Sequence, residues 1–458
     1  MTYLKEVVDK YQINECFKYD VDVAGCSWDD VEKVWSVRLR YMKEGMGDLS
    51  AKERNKVIAE NGESAVVARE EVVKARVVCS CVGGLVEPRG WPENIKGLEQ
   101  FEGSMFHSAR WDYGVNLQDK DVVVVGTGCS AAQFVPRLTK EYGAKSVVQL
   151  MRSPPWVVPR AIPPGGEEKY AKWAPRLLST IPGLNRLWRS LVFLGTEGDW
   201  VLFGGDDKAS KAREKVRSAS SSERAVLLIL TQVEGSLIRH MKRTVPEQYH
   251  EILTPDYGVG CKRRIFDATW FPGLNDPKID LTTLPLTSVQ QKTVTLGPGR
   301  TFPDPKITTS SVSQEAREIP ADVIILANGF DTTKWLHPLE VIGRDGINLV
   351  DEMDARGGPQ AYQGTAMDGF PNFFLIFGPN TATGHSSVIL ATENMIMYAL
   401  KFIKLILKGE ASEVEVKQEA EVKYTKGLQE ALSKTVWMSG GCQSWYFTAD
   451  GWNSTMYP

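Results

Sequence analysis

The stretch KDVVVVGTGCSAAQFVPRLTKEYGAKSVVQLMR, residues 120–152, decides the fold. Residues 122–125 are all valine, a β-branched run short enough for a buried parallel strand. Two glycines follow, the residues after them have a helical pattern, and residues 145–152 predict a second strand. A strand, a helix and a parallel strand make a β-α-β unit, so the sequence predicts an α/β protein with a doubly wound, dinucleotide-binding Rossmann domain.

Three small residues lie where the predicted strand turns into the helix. Gly126 permits the tight turn, Gly128 lets the backbone approach a pyrophosphate, and Ala131 allows close helix–strand packing. The free amides at the helix start face the anion. An ordinary turn with two glycines is the simpler alternative, and the strand-to-helix context argues against it. The residues predicted to bind the dinucleotide here are Gly126, Thr127, Gly128, Cys129, Ser130, Ala131 and Gln133.

The end of the second strand bears on the choice of nicotinamide cofactor. NAD sites place an acidic residue there, whereas this sequence has Arg152 followed by Ser153. A guanidinium can pair bidentately with a 2′-phosphate, which a carboxylate would repel. The sequence therefore favours NADPH, and the alternative, that Arg152 is a surface charge closing a strand, stays open.

A fingerprint segment, FEGSMFHSARWD, lies just upstream of this unit at residues 101–112. The pattern FxGxxxHxxxW(P/D) is matched by Phe101, Gly103, His107, Trp111 and Asp112. With this match, the chain resembles the Baeyer–Villiger-type flavin monooxygenases, a class of flavoprotein monooxygenase. The resemblance extends through most of the chain. It implies a fold of the two-dinucleotide-binding-domain type, with one Rossmann domain for NADPH and one for FAD.

The resemblance also assigns residues in two later segments. GCKRRIFD, residues 260–267, is similar to the segment with the family's active-site arginine. Counting back four from its aspartate puts that arginine at Arg263, although Arg264 remains the alternative register. Lys262 then corresponds to the family residue on the NADP phosphate. CQSWY, residues 442–446, resembles the element near the nicotinamide, which makes Trp445 a predicted cofactor contact.

The chemistry that the resemblance implies is oxygen insertion next to a ketone. NADPH reduces bound FAD, the reduced flavin activates oxygen, and the ketone becomes an ester or lactone. A fixed cation beside the developing oxyanion is a physical requirement, because a buried anion without one is costly. Arg263 is the residue predicted for that role. A natural-product or polycyclic ketone is the expected small-molecule substrate.

The resemblance fails at the start of the chain. The family opens with a strand, a GxGxxG loop and a helix for the ADP part of FAD, and this sequence starts where that unit should have ended. We therefore expect an N-terminally truncated FAD domain and leave FAD binding open. The only other GxG before residue 100 is GMG at residues 45–47, and because no buried strand precedes it, it predicts a polar turn.

Two other functional classes stay open because of this gap. A descendant that lacks FAD could use the same pocket for non-redox chemistry, namely cyclisation, isomerisation or hydrolysis. A non-catalytic binding protein is a third class, which the retention of Arg152, Lys262 and Arg263 disfavours. Fold alone does not decide among them.

The organisation along the chain follows from these assignments. Residues 3–13 predict a helix, residues 17–25 and 34–42 predict antiparallel strands, residues 43–66 predict a loop insertion, and residues 387–407 predict a long helix. The predicted domains are a flavin-domain remnant with the fingerprint (1–112), the NADPH domain (113–160 and 256–330), a helical insertion (161–255) and a C-terminal return to the flavin domain (331–458).

Composition bounds the remaining possibilities. Apolar residues make up 42% and charged residues 24% of the 458 residues, as in globular proteins. A net charge of −3 gives no electrostatic case for nucleic acid or an anionic membrane, and no apolar run is long enough for a membrane span. The seven cysteines are scattered, so we expect a reduced, cytoplasmic protein without a metal site. The oligomeric state is left open.

Overall fold

The fold comes from a computed structural model. It describes residues 2–198, 203, 221–298, 316–332, 335–336, 338–442 and 444–457, with the backbone alone for residues 2 and 221–230. Part of the predicted helical insertion therefore lies outside the described residues. Within the described chain no helix is both long enough and apolar enough to cross a bilayer.

The helices are α1 (Thr2–Tyr11), α2 (Ala51–Asn61), α3 (Cys129–Lys140), α4 (Glu167–Thr180), α5 (Leu184–Glu197), α6 (Ser221–Thr244), α7 (Trp270–Gly273), α8 (Leu349–Ala355), α9 (Val388–Lys408), α10 (Gln418–Leu432) and α11 (Val436–Ser439). The strands are β1 (Val21–Asp29), β2 (Val34–Met42), β3 (Val67–Ala75), β4 (Val78–Ser80), β5 (Glu87–Pro88), β6 (Ser104–His107), β7 (Asp121–Val125), β8 (Ser146–Leu150), β9 (Val157–Pro159), β10 (Ile265–Asp267), β11 (Ile279–Thr282), β12 (Leu286–Val289), β13 (Thr293–Leu296), β14 (Arg317–Pro320), β15 (Val323–Leu326), β16 (Phe330–Asp331), β17 (Glu340–Ile342) and β18 (Phe373–Leu375).

A five-stranded parallel sheet, in the order β11-β8-β7-β15-β6, positions the candidate site. The predicted β-α-β unit is confirmed, since β7 pairs in parallel with β8 and α3 connects them. Val122, Val123 and Val124 are almost fully buried, as expected for a strand covered on both faces. The carboxyl ends of these parallel strands therefore lie at one edge, where ligands bind in such sheets.

One of the two edge strands of this sheet is β6, which carries the fingerprint residue His107. It pairs in parallel with β15, so that His107 lies beside Leu326. This part of the fingerprint segment thus joins the five-stranded sheet, whereas the sequence interpretation grouped it with residues 1–112. The domain limits themselves stay a prediction.

A second sheet lies earlier in the chain, in the order β17-β1-β2-β3. The predicted antiparallel pair is confirmed as β1 and β2, and β2 has the predicted bounds. Trp35 and Val37 point into a separate hydrophobic core, where the Trp35 ring packs against Phe373 and its Nε1 donates to the Pro371 carbonyl over 2.8 Å. Two short parallel strands, β4 and β18, pair nearby.

The loop insertion predicted for residues 43–66 is wrong in part, because α2 occupies its centre. Ser50 and Glu53 form a capping box: the Ser50 Oγ accepts from the Glu53 N–H, and the Glu53 carboxylate accepts from the Ser50 N–H over 2.7 Å. That arrangement satisfies two amides that would otherwise lack partners at the helix start. Residues 45–47 lie in a turn, as predicted.

The long C-terminal helix is confirmed as α9. The Ser387 side chain caps it by accepting from the Leu390 N–H, and Gly409 ends it in the left-handed conformation with φ 75°. A serine cap and a glycine stop are common boundary signals for helices.

Candidate active site

Gly126 makes the turn between β7 and α3 in a conformation that only glycine accepts easily. Its φ is 120°, and a Cβ placed there would lie 2.4 Å from the Ala327 carbonyl oxygen. Its N–H donates to the Leu150 carbonyl over 2.9 Å, so the turn is held against β8. The predicted need for glycine at this position is therefore a steric need within the protein.

Gly128 differs from Gly126, because nothing in the described structure lies within 4 Å of a Cβ built on it. It is the exposed N-cap residue of α3, with no side chain capping the helix start. Ala131 is fully buried against the sheet. The helix thus presents uncapped amides at an open position, which suits a pyrophosphate.

A buried side-chain amide holds the glycine turn by a hydrogen bond to its backbone. Gln149, on β8, is fully buried, and its Nε2 donates to the Gly126 carbonyl over 2.9 Å. The Gln149 Oε1 accepts from the Trp270 Nε1 over 2.9 Å. Asp267, also buried, accepts from the Trp270 N–H and holds the start of α7. Sequence reasoning missed this relay, although a single glutamine in an apolar strand is a signal that a buried polar group needs partners.

Two cations converge at the end of β8, where the sequence predicts the 2′-phosphate. The Lys262 Nζ donates to the Ser153 Oγ over 2.8 Å and lies 4.8 Å from the centre of the Tyr257 ring. Burial, together with the neighbouring Arg152, lowers the pKa of Lys262 to about 8. A buried lysine whose pKa is lowered by a neighbouring arginine marks a cluster of positive charge that is suited to bind an anion. The geometry brings together the three residues that the sequence assigned to this subsite.

Arg263 lies beside the glycine-rich loop. Its side chain is exposed, and its guanidinium interacts with the Cys129 sulfur at the start of α3. Burial raises the pKa of the Cys129 thiol, and the Arg263 charge opposes that rise. The Arg263 N–H also donates to the Tyr446 hydroxyl, whose pKa burial raises. Arg263 therefore places a positive charge next to the predicted cofactor loop.

Arg264 takes a different position from its neighbour. It is buried, and its guanidinium carbon lies 5.5 Å from the centre of the Phe203 ring and 5.6 Å from that of Phe266. Phe203 packs in turn on Trp437 and His385. The sequence left two candidates for the active-site arginine. Arg263 is exposed, whereas Arg264 is buried against aromatic rings.

A disulfide between Cys261 and Cys442 joins the arginine segment to the C-terminal segment. The expectation of reduced cysteines is therefore wrong for this pair, because the fold brings together residues that are 181 positions apart. The Gly258 N–H donates to the Gly440 carbonyl over 3.1 Å beside it. A single sequence carries no signal for a pairing of this kind. The other described cysteines are free, and the described chain holds no His/Cys/Asp/Glu group placed to bind a metal.

Trp445 follows this disulfide. Its ring stacks edge-on against Tyr446 at 4.7 Å, and its carbonyl accepts from the Thr332 hydroxyl over 2.8 Å. Through Tyr446 it belongs to the same group of residues as Arg263. The structure thus brings the predicted C-terminal cofactor contact towards the arginine segment, while contact with a nicotinamide stays a prediction.

His107 connects the fingerprint to the segment after β15. Its Nδ1 accepts from the Ala109 N–H over 3.0 Å, so its Nε2, 3.1 Å from the Gly329 carbonyl oxygen, must be the donor. Burial lowers the pKa of His107, which favours this neutral form. His107 therefore links the fingerprint segment to the segment after β15. Its hydrogen bonds do not involve Arg152 or Lys262.

The other fingerprint residues also have local structural roles. A Cβ on Gly103 would lie 2.2 Å from the Asp322 carbonyl oxygen, which explains the glycine. Trp111 packs edge-on against Phe106 and Phe134, and the Asp112 carboxylate accepts from the Gly114 N–H over 2.8 Å. The last fingerprint residue, Phe101, is partly buried under the sheet. The fingerprint thus fixes how the segment before β7 meets the NADPH sheet.

Comparisons with known proteins agree with this geometry. Residues 43–169 match the family described as flavin-binding monooxygenase-like. A Baeyer–Villiger monooxygenase of Pseudomonas aeruginosa is 29% identical over 458 residues, covering 100% of this chain and 72% of the relative. One of Streptomyces coelicolor is 28% identical over 459 residues, covering 100% and 73%.

Over its whole length, the chain is similar to Baeyer–Villiger-type flavin monooxygenases.

The chain shares its fold with solved proteins as well. The crystal structure of OTEMO in complex with FAD and NADP aligns with a TM-score of 0.68 at 20% identity, covering 100% of this chain and 79% of that one. The fold is accordingly mixed α/β, and the similarity to named monooxygenases supports a flavin-dependent monooxygenase. The truncation of the FAD domain stays a prediction.

Proposed function

We propose that this enzyme is an NADPH- and FAD-dependent monooxygenase that inserts oxygen next to the carbonyl of a ketone, of natural-product or polycyclic type. The observation that carries the proposal is the position of Lys262 and Arg263 on one short segment. Lys262 joins Arg152 and Ser153 at the predicted 2′-phosphate subsite. Arg263 faces the glycine-rich loop at Cys129. One segment thus serves cofactor recognition and supplies an active-site charge.

NADPH fits the residues that are present. The amides at the start of α3 suit the pyrophosphate, and the open space at Gly128 allows its approach. Arg152 and Lys262 supply the charges for a 2′-phosphate, with Ser153 as a hydroxyl donor. An NAD site would have an acid here, so the charge pattern favours NADPH over NADH.

FAD fits in part. The loop after β18 has two non-glycine residues with positive φ, Phe377 at 59° and Asn380 at 55°. Asn380 is locked there, since its Nδ2 donates to the carbonyls of Asn453 and Met456. Such constrained conformations concentrate at functional sites, which suits the flavin-side role that the resemblance implies. Among the described residues, however, residues 121–140 form the one strand, glycine-rich turn and helix of the kind that binds a dinucleotide. That site is assigned to NADPH.

The chemistry that reduced FAD supplies when bound is the activation of dioxygen. Arg263 provides the fixed positive charge for the oxygen that becomes negative as the ketone is converted. The Tyr446 hydroxyl accepts from the backbone N–H of this arginine, and the disulfide at Cys261 anchors the backbone two residues before it. A preorganised cation of this kind is worth a factor of about 10² to 10³ in rate for one donor.

The test compares two neighbouring variants on the same segment. Arg263→Ala should lower oxygenation at saturating NADPH by about two orders of magnitude while the Kd for NADPH changes little. Lys262→Ala should raise the Kd for NADPH and leave oxygenation at saturating NADPH nearly intact. Product formation by gas chromatography and NADPH binding by calorimetry separate the two effects. Equal loss of both properties in Arg263→Ala would contradict the assignment.

A second candidate function is non-redox chemistry in the same pocket, such as cyclisation, isomerisation or hydrolysis. The observation that favours it is the single dinucleotide cradle of the described residues. The two candidates differ in their need for flavin, because no side chain of the described site can activate oxygen. An aerobic and anaerobic comparison of turnover distinguishes them.

A further inference from the structure

Helix α5 presents its apolar face to solvent. Leu187, Leu191 and Leu194 are spaced by four and three residues, so they share one side of the helix. They are 54–64% exposed, and α5 buries none of its residues. A surface helix ordinarily turns this face towards the protein, because burial of apolar area is what holds it there.

The contacts of α5 with the rest of the protein include two polar pairs. Arg189 pairs with Glu393 of α9 at 3.4 Å, and Glu197 lies 3.2 Å from the Nε2 of His385. The Arg189 side chain lies on the side of the helix opposite the three leucines, whereas Glu197 follows Leu194 by three residues at the end of the helix. The three leucines therefore face outward, and Arg189 makes its contact with α9 on the other side of the helix.

Helix α4 continues the pattern and packs against α5. Trp173 and Leu177 are spaced four residues apart on α4, Ile181 follows the last helical residue, and each of the three is more than 40% exposed. Lys169, Lys172 and Arg176 flank this stripe on one side of the helix. We call α4 and α5 together the apolar hairpin. Apolar residues that include tryptophan, flanked by basic residues, are typical of helices that lie in a membrane–water interface.

The charge of the hairpin differs from that of the whole chain. Residues 167–197 contain five basic and three acidic residues, an excess of two positive charges. The whole chain has a net charge of −3. The overall charge gave no reason to expect an anionic membrane, whereas this local excess does. It also disfavours a second copy of the hairpin as the partner, since like charges would then face each other.

We propose that the apolar hairpin docks this protein on an anionic lipid surface. The leucines and Trp173 enter the interface, and the flanking basic side chains contact lipid phosphates. Docking of this kind is peripheral and does not depend on the proposed oxygenation. It would place the enzyme where apolar ketones partition.

The test is co-sedimentation of the full chain with vesicles of phosphatidylcholine, alone or mixed with phosphatidylglycerol. We expect binding to the mixed vesicles that weakens with added salt. Replacing both Leu191 and Leu194 by serine should lower the partition coefficient at least about tenfold. Phe193→Ser is the matched control, because Phe193 is exposed on another side of the same helix and should change binding little.

A triple Lys169→Gln, Lys172→Gln and Arg176→Gln variant should lose the preference for the anionic vesicles. All variants change exposed residues, so their circular dichroism and thermal transitions should match the parent chain. Absence of vesicle binding would overturn the proposal, as would equal binding by the double serine variant. A concentration-dependent dimer that the same double variant abolishes would assign the hairpin to a second copy of the chain instead.

Discussion

The Lys262 ammonium donates to the Ser153 hydroxyl over 2.8 Å, beside Arg152 at the end of β8. Two segments more than a hundred residues apart thus meet at this subsite. Burial, and then the charge of Arg152, hold the pKa of Lys262 at about 8. The subsite therefore loses one of its two charges within an accessible pH range.

The first prediction concerns pH. Lys262 is charged below its pKa of about 8 and neutral above it. The kcat/KM for NADPH should therefore fall about tenfold as the pH rises through this value, and that for NADH should fall much less. Steady-state kinetics with both cofactors provide the measurement. In Lys262→Met, the ratio of kcat/KM for NADPH to kcat/KM for NADH should be independent of pH. A step in this ratio that persists near pH 8 would assign the pH dependence to another group.

The second prediction contrasts the two glycines of the cofactor loop. Gly126→Ala meets the Ala327 carbonyl oxygen at 2.4 Å and strains a φ of 120°, so it should cost about 2 kcal/mol or more in stability. Gly128→Ala meets nothing within 4 Å and should fold normally while binding NADPH more weakly. Urea unfolding and NADPH titration check the pair. If both variants were equally stable, the steric account of Gly126 would fail.

The third prediction concerns the relay behind that loop. Gln149→Leu leaves the Gly126 carbonyl and the Trp270 Nε1 without their partner, which should cost about 1–3 kcal/mol for each group. NADPH binding should weaken as well, because the turn loses its support. The exposed Gln100 is the matched control, and Gln100→Leu should change the free energy of unfolding by less than about 0.5 kcal/mol. Equal unfolding curves for the two variants would remove the relay from the account.

The fourth prediction concerns the Cys261–Cys442 disulfide. A tether across 181 residues should contribute roughly 2–5 kcal/mol, so a thiol reductant should lower the stability of the parent chain. Cys442→Ser should have that lower stability already and respond little to reductant. Because the tether holds the arginine segment against the C-terminal segment, the variant should also raise the KM for NADPH. Free-thiol counting by mass spectrometry is the direct check, and seven reactive thiols in the unfolded, unreduced chain would contradict the bond.

The parts of the site that the sequence predicts well are those with local causes. Val122 to Val125 and the glycines after them specify a strand, a turn and a helix within a short stretch, and the structure has all three. Helix α2 also had a local signal, the Ser50 and Glu53 capping box, and it was missed because the segment is polar.

Other parts depend on contacts that a sequence does not display. The bond between Cys261 and Cys442 requires two segments to meet in space. The contact of Arg189 on α5 with Glu393 likewise joins helices some two hundred residues apart. Periodicity predicts that α5 is amphipathic, but which side faces the protein is decided by the packing of the whole chain.

The measurement that tests the central claim most directly is an absorption spectrum of the purified enzyme with added FAD, before and after NADPH under anaerobic conditions. The proposal predicts a bound-flavin band that NADPH bleaches, and that readmitted oxygen restores with oxygenated product when a ketone is present. A colourless protein that does not take up FAD, yet converts a substrate without oxygen, would contradict it.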